Sequence, residues 1–347
     1  MKMHTSLLGA SFALAFLGGA LADTTPASPY SIVRTISLGA GERWDYVTFD
    51  PASGRVYVAH GDRVTVVDGA SGARIGDIAP LPGGTHGIAV TPDQHIGYTD
   101  DGKAGIAAAF DPATLKIVKT IAAAPDADGI IYDPASGHVF VIDGDSGSIT
   151  VIDPKANAAL QTISIGAGLE AAVADGKGHL YVDGAEQHDI VVVDTRSNTV
   201  AAHYAMAGCE RPHGIAVDAA AARIFATCIN KVMVVVDANS GAPVATLPIG
   251  AGSDGAAFDP VRRRAFSSNS DGTLTVVEEK SGDNFSVLAN VPTARGARTI
   301  ALDPKTGRVF LPVADIARID PPEKPGGRPH VTFVPGTMKL LVLEPAK

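Results

Sequence analysis

Seven ionisable residues recur along the chain at intervals of 41 to 44 positions: Asp45, His86, Asp128, Glu170, His213, Asp254 and Arg298. Each stands just before a short apolar run. Carboxylates and imidazoles brought to one place can hold a divalent cation through oxygen and nitrogen, or move protons near neutral pH. His86 and His213 head the same stretch, His-Gly-Ile-Ala-Val. The candidate catalytic residues are therefore His86, His213 and Glu170, and the candidate metal ligands His86, His213, Asp128 and Glu170. Asp45, Asp128, Asp254, Arg298 and the neighbouring Trp44 complete a candidate ligand-binding set. Four carboxylates at one site repel each other unless Arg298, protonated histidines, a metal or a cationic ligand offsets them. For any single position the competing reading, a side chain capping nearby backbone amides, has equal weight. For all seven together, function is the better reading.

Something must bring residues some 42 positions apart to one place, and the apolar runs show what. Tyr46-Val-Thr-Phe-Asp50, Gly87-Ile-Ala-Val-Thr91, Gly129-Ile-Ile-Tyr-Asp133 and Ala171-Ala-Val-Ala-Asp175 are followed by Gly214-Ile-Ala-Val-Asp218, Gly255-Ala-Ala-Phe-Asp259 and Thr299-Ile-Ala-Leu-Asp303. Turns such as Asp50-Pro-Ala-Ser-Gly54 come next, with Pro fixing φ, Asp capping its own backbone and Gly taking positive φ. A second strand (Arg55-Val-Tyr-Val58), a third ending in an acid (Val66-Val-Asp68) and a shorter fourth (Lys119-Thr-Ile121) follow in the repeat. Four strands per unit of roughly 40 residues, seven times over, predict an all-β, seven-bladed β-propeller with four-stranded blades. Ser31-Ile-Val-Arg-Thr-Ile36 is a fourth strand with no blade before it, and the last unit supplies only three. Pairing the N-terminal strand with the last blade closes the ring and removes its open edges. The seven ionisable residues then open the strands that line the central channel.

Trp44-Asp-Tyr, Pro125 and Asp128, Leu247-Pro-Ile-Gly250 and the tail Val334-Pro-Gly-Thr-Met-Lys-Leu-Leu-Val342 resemble the YVTN or YncE-like β-propeller family over roughly residues 30 to 345. That resemblance implies an exported propeller with a binding role, single-stranded DNA in one case. The paired His-Gly-Ile-Ala stretches are similar to those of streptogramin lyase-type propellers, which use a metal and a histidine at the channel mouth. That likeness implies lyase chemistry, on a short motif alone.

Beyond the repeats, Lys2, the apolar Leu7 to Leu21 and the small residues Ala20-Leu21-Ala22 have the layout of a secretory signal peptide, cleaved near Ala22-Asp23. Residues 23–347 then form a single domain in the periplasm or outside the cell. It has no transmembrane segment, because no later stretch holds 18 uninterrupted apolar residues. A net charge of −9 and the lack of a basic run argue against nucleic acid. In an exported chain Cys209 and Cys228 are expected to pair; two free thiols, or a metal site with His ligands, are the alternatives. The segment 314–335 breaks the repeat with Arg318, Pro321-Pro322, Pro325-Gly326-Gly327, Arg328 and His330. It reads as a long loop without secondary structure, folded as a flap over the channel mouth, its basic residues able to meet an anionic ligand. His60, Asp100-Asp101, Asp143, Asp145, Asp183, Asn230-Lys231 and Ser268-Asn269 read as a second polar rank there, mostly solvated turn residues. The sequence lacks a phosphate-cradling Gly loop, a nucleophile elbow, a CxxCH motif and an HExxH motif.

The sequence thus predicts a monomeric propeller binding a small ligand and a divalent metal at the channel mouth. The alternatives are a metal-dependent lyase or lactone hydrolase acting at that mouth, and a scaffold for protein or envelope partners.

Overall fold

A computed structural model describes Met1 and residues 27–41, 43–166, 168–322 and 329–346. The signal-peptide expectation, and the Pro325-Gly-Gly-Arg328 part of the long insertion, lie outside the described residues.

The described chain is a seven-bladed β-propeller of four-stranded antiparallel sheets, with no α-helix among the described residues. Blade 1 runs Val47–Asp50, Arg55–His60, Arg63–Asp68 and Arg74–Ile78 from the axis outward. Blades 2 to 6 repeat that order, with inner strands Ile88–Val90, Ala127–Asp133, Leu169–Ala174, Pro212–Asp218 and Ser253–Asp259. Blade 7 consists of Ala301–Asp303, Arg308–Val313 and Met338–Pro345, with Tyr30–Gly39 added on its outer edge. Ile36 stands opposite Leu340 and Tyr30 opposite Pro345 in this closing pair. The ring is therefore closed as the strand count predicts.

Side-chain alternation along a strand explains the packing, since successive residues face opposite neighbouring blades. Val56 and Val58 join the cluster under blade 7, whereas Tyr57 between them packs with Ile88 and Phe110 of blade 2. An aromatic fills the same place in every second strand: Tyr57, Tyr98, Phe140, Tyr181, Phe225, Phe266 and Phe310 are all buried. At the end away from the ring of ionisable residues, the Asp50 carboxylate accepts from the Ala52 and Ser53 amides at 3.1 and 3.2 Å, and Gly54 closes the turn at φ +71°. Asp133 and Gly137 repeat the arrangement.

Two expectations need correction. Segment 314–335 is not without secondary structure: Ile316–Asp320 pairs with His330–Phe333 as a hairpin inserted between the second and third strands of blade 7. The second arm alternates polar and apolar residues, and the first does so beyond the register shift between Ile316 and Arg318, with Ile319 opposite Val331 and Ile316 opposite Phe333. The Pro- and Gly-rich tip masks that period in the sequence. The second polar rank is not mostly solvated either. His60, Asp100, Asp101, Asp143, Asp183, Ser268 and Asn269 are buried, because they end the second strands rather than begin the loops.

Candidate functional site

Four of the seven ring residues lie in register shifts of their inner strands. The shifts fall between Ala127 and Ile130, Leu169 and Ala172, Pro212 and Gly214, and Ser253 and Gly255. They therefore contain Asp128, Glu170, His213 and Asp254. An extra residue bends a strand and re-aims one side chain, and here the bulges serve side chains at one end of the channel. His86 and Arg298 precede the regular part of their strands. The glycine after each histidine allows the blades to approach. A Cβ at Gly87 would stand 2.3 Å from the Ile130 amide nitrogen, and one at Gly214 2.8 Å from the Gly255 carbonyl carbon.

The ring divides into two groups. In the first, Asp45, His86 and Asp128 each offer a ligand atom within 4.8 Å of the others, so these three could hold a metal ion. The buried Asp100 organises this group. One of its oxygens accepts from the His86 and Gly87 amides at 2.8 and 2.9 Å, and the other meets His86 Nδ1 at 2.7 Å. With Nδ1 engaged, Nε2 is the nitrogen left for a metal, and a carboxylate behind a ligating histidine is a recurrent outer-shell arrangement. Burial opposes charge on His86, yet Asp100, Asp128 and Asp45 outweigh it and raise its pKa to about 10. Burial raises Asp45 to about 6 against the pull of Arg298, and burial with the Asp45 charge holds Asp128 well above the usual range. Two carboxyls with raised pKa values beside an imidazolium are a set that a divalent cation would stabilise by displacing protons.

In the second group, His213 Nδ1 lies 3.4 Å from Asp254 and 3.6 Å from Glu170. Arg298 Nε meets Asp254 at 2.5 Å, an Arg298 terminal nitrogen donates to the Trp44 carbonyl at 3.1 Å, and its guanidinium lies 5.3 Å from the Trp44 ring centroid. These bonds and His213 overcome the burial of Asp254 and lower its pKa. Arg298 thus links both groups, and Thr299 donates to the Asp45 carbonyl at 2.8 Å across the closing blades. The candidate metal ligands named from the sequence are accordingly split: His86 and Asp128 meet with Asp45, while His213 and Glu170 meet with Asp254.

A cavity of about 840 Å³ runs from Asp45, Asp128, Glu170, His213 and Asp254 up to the hairpin. Phe333 of the hairpin contacts the Trp44 ring at 5.0 Å. Arg318 is turned onto Asp320 at 3.0 Å, and His330 lies 3.9 Å from the same carboxylate. A smaller cavity of about 430 Å³ opens between Trp44, His86 and the loop at Pro82 to Thr85. Cys209 and Cys228 form a disulfide with Cα atoms 5.4 Å apart, tying the approach to blade 5 to the end of its second strand.

Two residues of this site carried no role in the sequence reading. Asp100 was grouped with the solvated rank. Tyr46 lines both the mouth cavity and a further cavity of about 610 Å³ along the channel. Burial and the charges of Asp128, Asp45, Glu170 and Asp254 hold its pKa well above the ordinary value, which keeps the phenol neutral. Its signal is present in the repeat: the residues after the ring positions are Tyr46, Gly87, Gly129, Ala171, Gly214, Gly255 and Thr299, and only one of them is bulky.

No protein-family model matches the sequence, and no curated protein matches it. Solved structures share the fold. A structure of U3-55K aligns with a TM-score of 0.74 at 10% identity, covering 92% of this chain and 99% of that one. A chain of the mitotic checkpoint complex gives 0.69 at 17% identity, with coverages of 87% and 95%. Hydrazine synthase from Kuenenia stuttgartiensis gives 0.67 at 16% identity, with coverages of 86% and 97%. At such identities the likeness concerns architecture alone, which is the seven-bladed propeller.

Proposed function

We propose that this propeller binds a divalent metal through Asp45, His86 and Asp128 at its channel mouth and a small ligand in the adjoining cavity. The observation that carries this reading is the convergence of the three donors within 4.8 Å, with Asp100 fixing the imidazole from behind. Two oxygens and one nitrogen suit zinc or manganese and leave positions for solvent or ligand. Calorimetric titration with Mn²⁺ and Zn²⁺ tests it. One site per chain is expected, with affinity reduced at least about tenfold in Asp128→Asn; equal binding by that variant would overturn the assignment.

The resemblance to exported YVTN or YncE-like propellers supports placing the chain in the periplasm or outside the cell. The leader-like residues 1–22 and the Cys209–Cys228 disulfide support it too. No helix among the described residues is long and apolar enough to cross a membrane. A second reading is favoured by His213, which is 5% exposed and stands against Glu170 and Asp254 across the cavity from the metal group. In it the mouth is an active site for lyase or lactone-hydrolysing chemistry, the metal polarising a carbonyl and His213 moving a proton. His213→Ala separates the two readings: turnover present in the parent and lost in the variant with metal and ligand still bound supports catalysis, whereas ligand binding with no turnover by either the parent or the variant supports a binding protein.

A further inference from the structure

We infer that Glu279 and Asp218 share one proton across the seam between blades 5 and 6, forming a latch that holds in mild acid and releases above neutral pH. The pair lies at the end of the propeller away from the mouth, and the inference does not depend on a metal. Asp218 ends the inner strand of blade 5, and Glu279 stands near the end of the third strand of blade 6, Thr273–Ser281. Both are buried, at 5% and 2% exposure.

The repeat shows what this position does elsewhere. The residue after the acid of the third strand donates its amide to the residue just before the second strand: Gly69 to Gly54, Thr195 to Gly178, Ala238 to Ala222 and Glu279 to Arg263. In blade 4 that residue is Thr195, whose hydroxyl donates at 2.6 Å to Asp133, the acid ending the inner strand of blade 3. Glu279 takes the place of Thr195, and its carboxyl meets that of Asp218 in the preceding blade. An ionised carboxyl, unlike a hydroxyl, has no proton to donate. The turn of blade 5 does not supply one either. Asp50 and Asp133 receive the hydroxyls of Ser53 and Ser136, three residues on, where blade 5 has Ala221. Asp218 accepts the Ala220 and Ala221 amides through one oxygen. Both Glu279 oxygens are buried without a hydrogen bond among the described residues, so the donor this seam lacks is a proton between the two carboxyls.

The charged groups facing Glu279 are Asp218, Arg263 and Arg223. Arg263 Nη2 stands 3.1 Å from one Glu279 oxygen, on a side chain that is half exposed. Arg223 is committed to Asp237 and Asp283. Burial and Asp218 outweigh both arginines and raise the Glu279 pKa to about 7. The folded chain therefore keeps a proton that the unfolded chain releases near 4.5. Stability from the pair is complete below that pH and is lost as pH rises to about 7. Above it, two buried carboxylates oppose each other across the seam.

Amide hydrogen exchange, corrected for the intrinsic rate, and thermal melting at about pH 5 and about pH 8 test the latch. In the parent, the amides of Ala220, Ala221 and Glu279 should exchange at least about tenfold faster at the higher pH. Glu279→Gln carries an amide that donates at either pH. It should remove that difference, melt close to the parent in acid and melt at least about 3 °C above it at the higher pH. Comparing variant with parent at each pH cancels the other titrating groups. Glu279→Thr, which copies Thr195, should level the exchange in the same way and serves if the glutamine variant does not fold. Equal exchange in the parent at both pH values, or a melting difference between Glu279→Gln and parent that is the same at both, would overturn the inference.

Discussion

Asp100 touches no solvent, yet it decides what His86 can do. Its carboxylate holds Nδ1 and two backbone amides at once, which fixes both the ring's orientation and the nitrogen presented to Asp45 and Asp128. Asp100→Asn is expected to lower divalent-metal affinity about 10- to 100-fold with the fold retained, measured by calorimetry beside circular dichroism. Asp183, in the equivalent place in blade 4, has no such partner among the described residues, where both its oxygens are buried without a hydrogen bond. Burial, with Glu170 and Asp189 nearby, holds its pKa well above 3.8. The folded state therefore keeps a proton that the unfolded chain releases near pH 4. Stability from this group is present below that pH and falls as pH rises toward the folded value. Asp183→Asn removes the loss, which grows by at most about 1.4 kcal/mol per pH unit and only between the unfolded and the folded pKa. The variant should melt close to the parent at pH 4 and at least about 4 °C above it at pH 7. Equal melting at pH 7 would show that Asp183 is not held neutral. The ring residues were legible because spacing alone marks them. Asp100 was not, since a buried acid at a strand end and a solvated acid in a turn look alike in sequence.

Among the elements, the blade 5 disulfide and the blade 7 hairpin border the mouth on blades separated only by blade 6. The Cys209–Cys228 link closes a loop of sequence separation 19. Replacing both cysteines by serine should cost about 3 kcal/mol in chemical denaturation, with metal affinity unchanged because Asp45, His86 and Asp128 lie on blades 1 to 3. A loss much smaller than 1 kcal/mol would mean the bridge does not constrain the unfolded chain. Strand positions were readable from period-2 alternation and Asp-Pro and Gly turns. The hairpin was not, because prolines and glycines outweigh its two short arms and a register shift breaks the alternation of the first. Nor were the four bulges at Asp128, Glu170, His213 and Asp254, since one extra residue leaves the apolar pattern intact on both sides. The division of the ring into two groups was hidden for a related reason. The repeat says that seven side chains reach one mouth, but only their conformations say which of them meet.

For the whole molecule, closure is what makes a ring of side chains into a site. Tyr30–Gly39 completes blade 7, and Thr299 and Arg298 reach across to the Asp45 and Trp44 carbonyls. Removing residues 30–39 would expose the edge of Met338–Pro345, an unpaired strand of the kind that aggregates. Such a truncation should give aggregated protein in size-exclusion chromatography, whereas a monomer with native circular dichroism would show that the ring holds without its closing strand. Closure was legible from the strand count alone, and the seven-fold repeat made the architecture the most readable property of the chain. The chemistry at the mouth is most directly tested by anomalous diffraction from crystals soaked in Mn²⁺. The account predicts one dominant peak among Asp45, His86 and Asp128, absent in Asp128→Asn crystals. A dominant peak among Glu170, His213 and Asp254, or none at saturating metal, would contradict it.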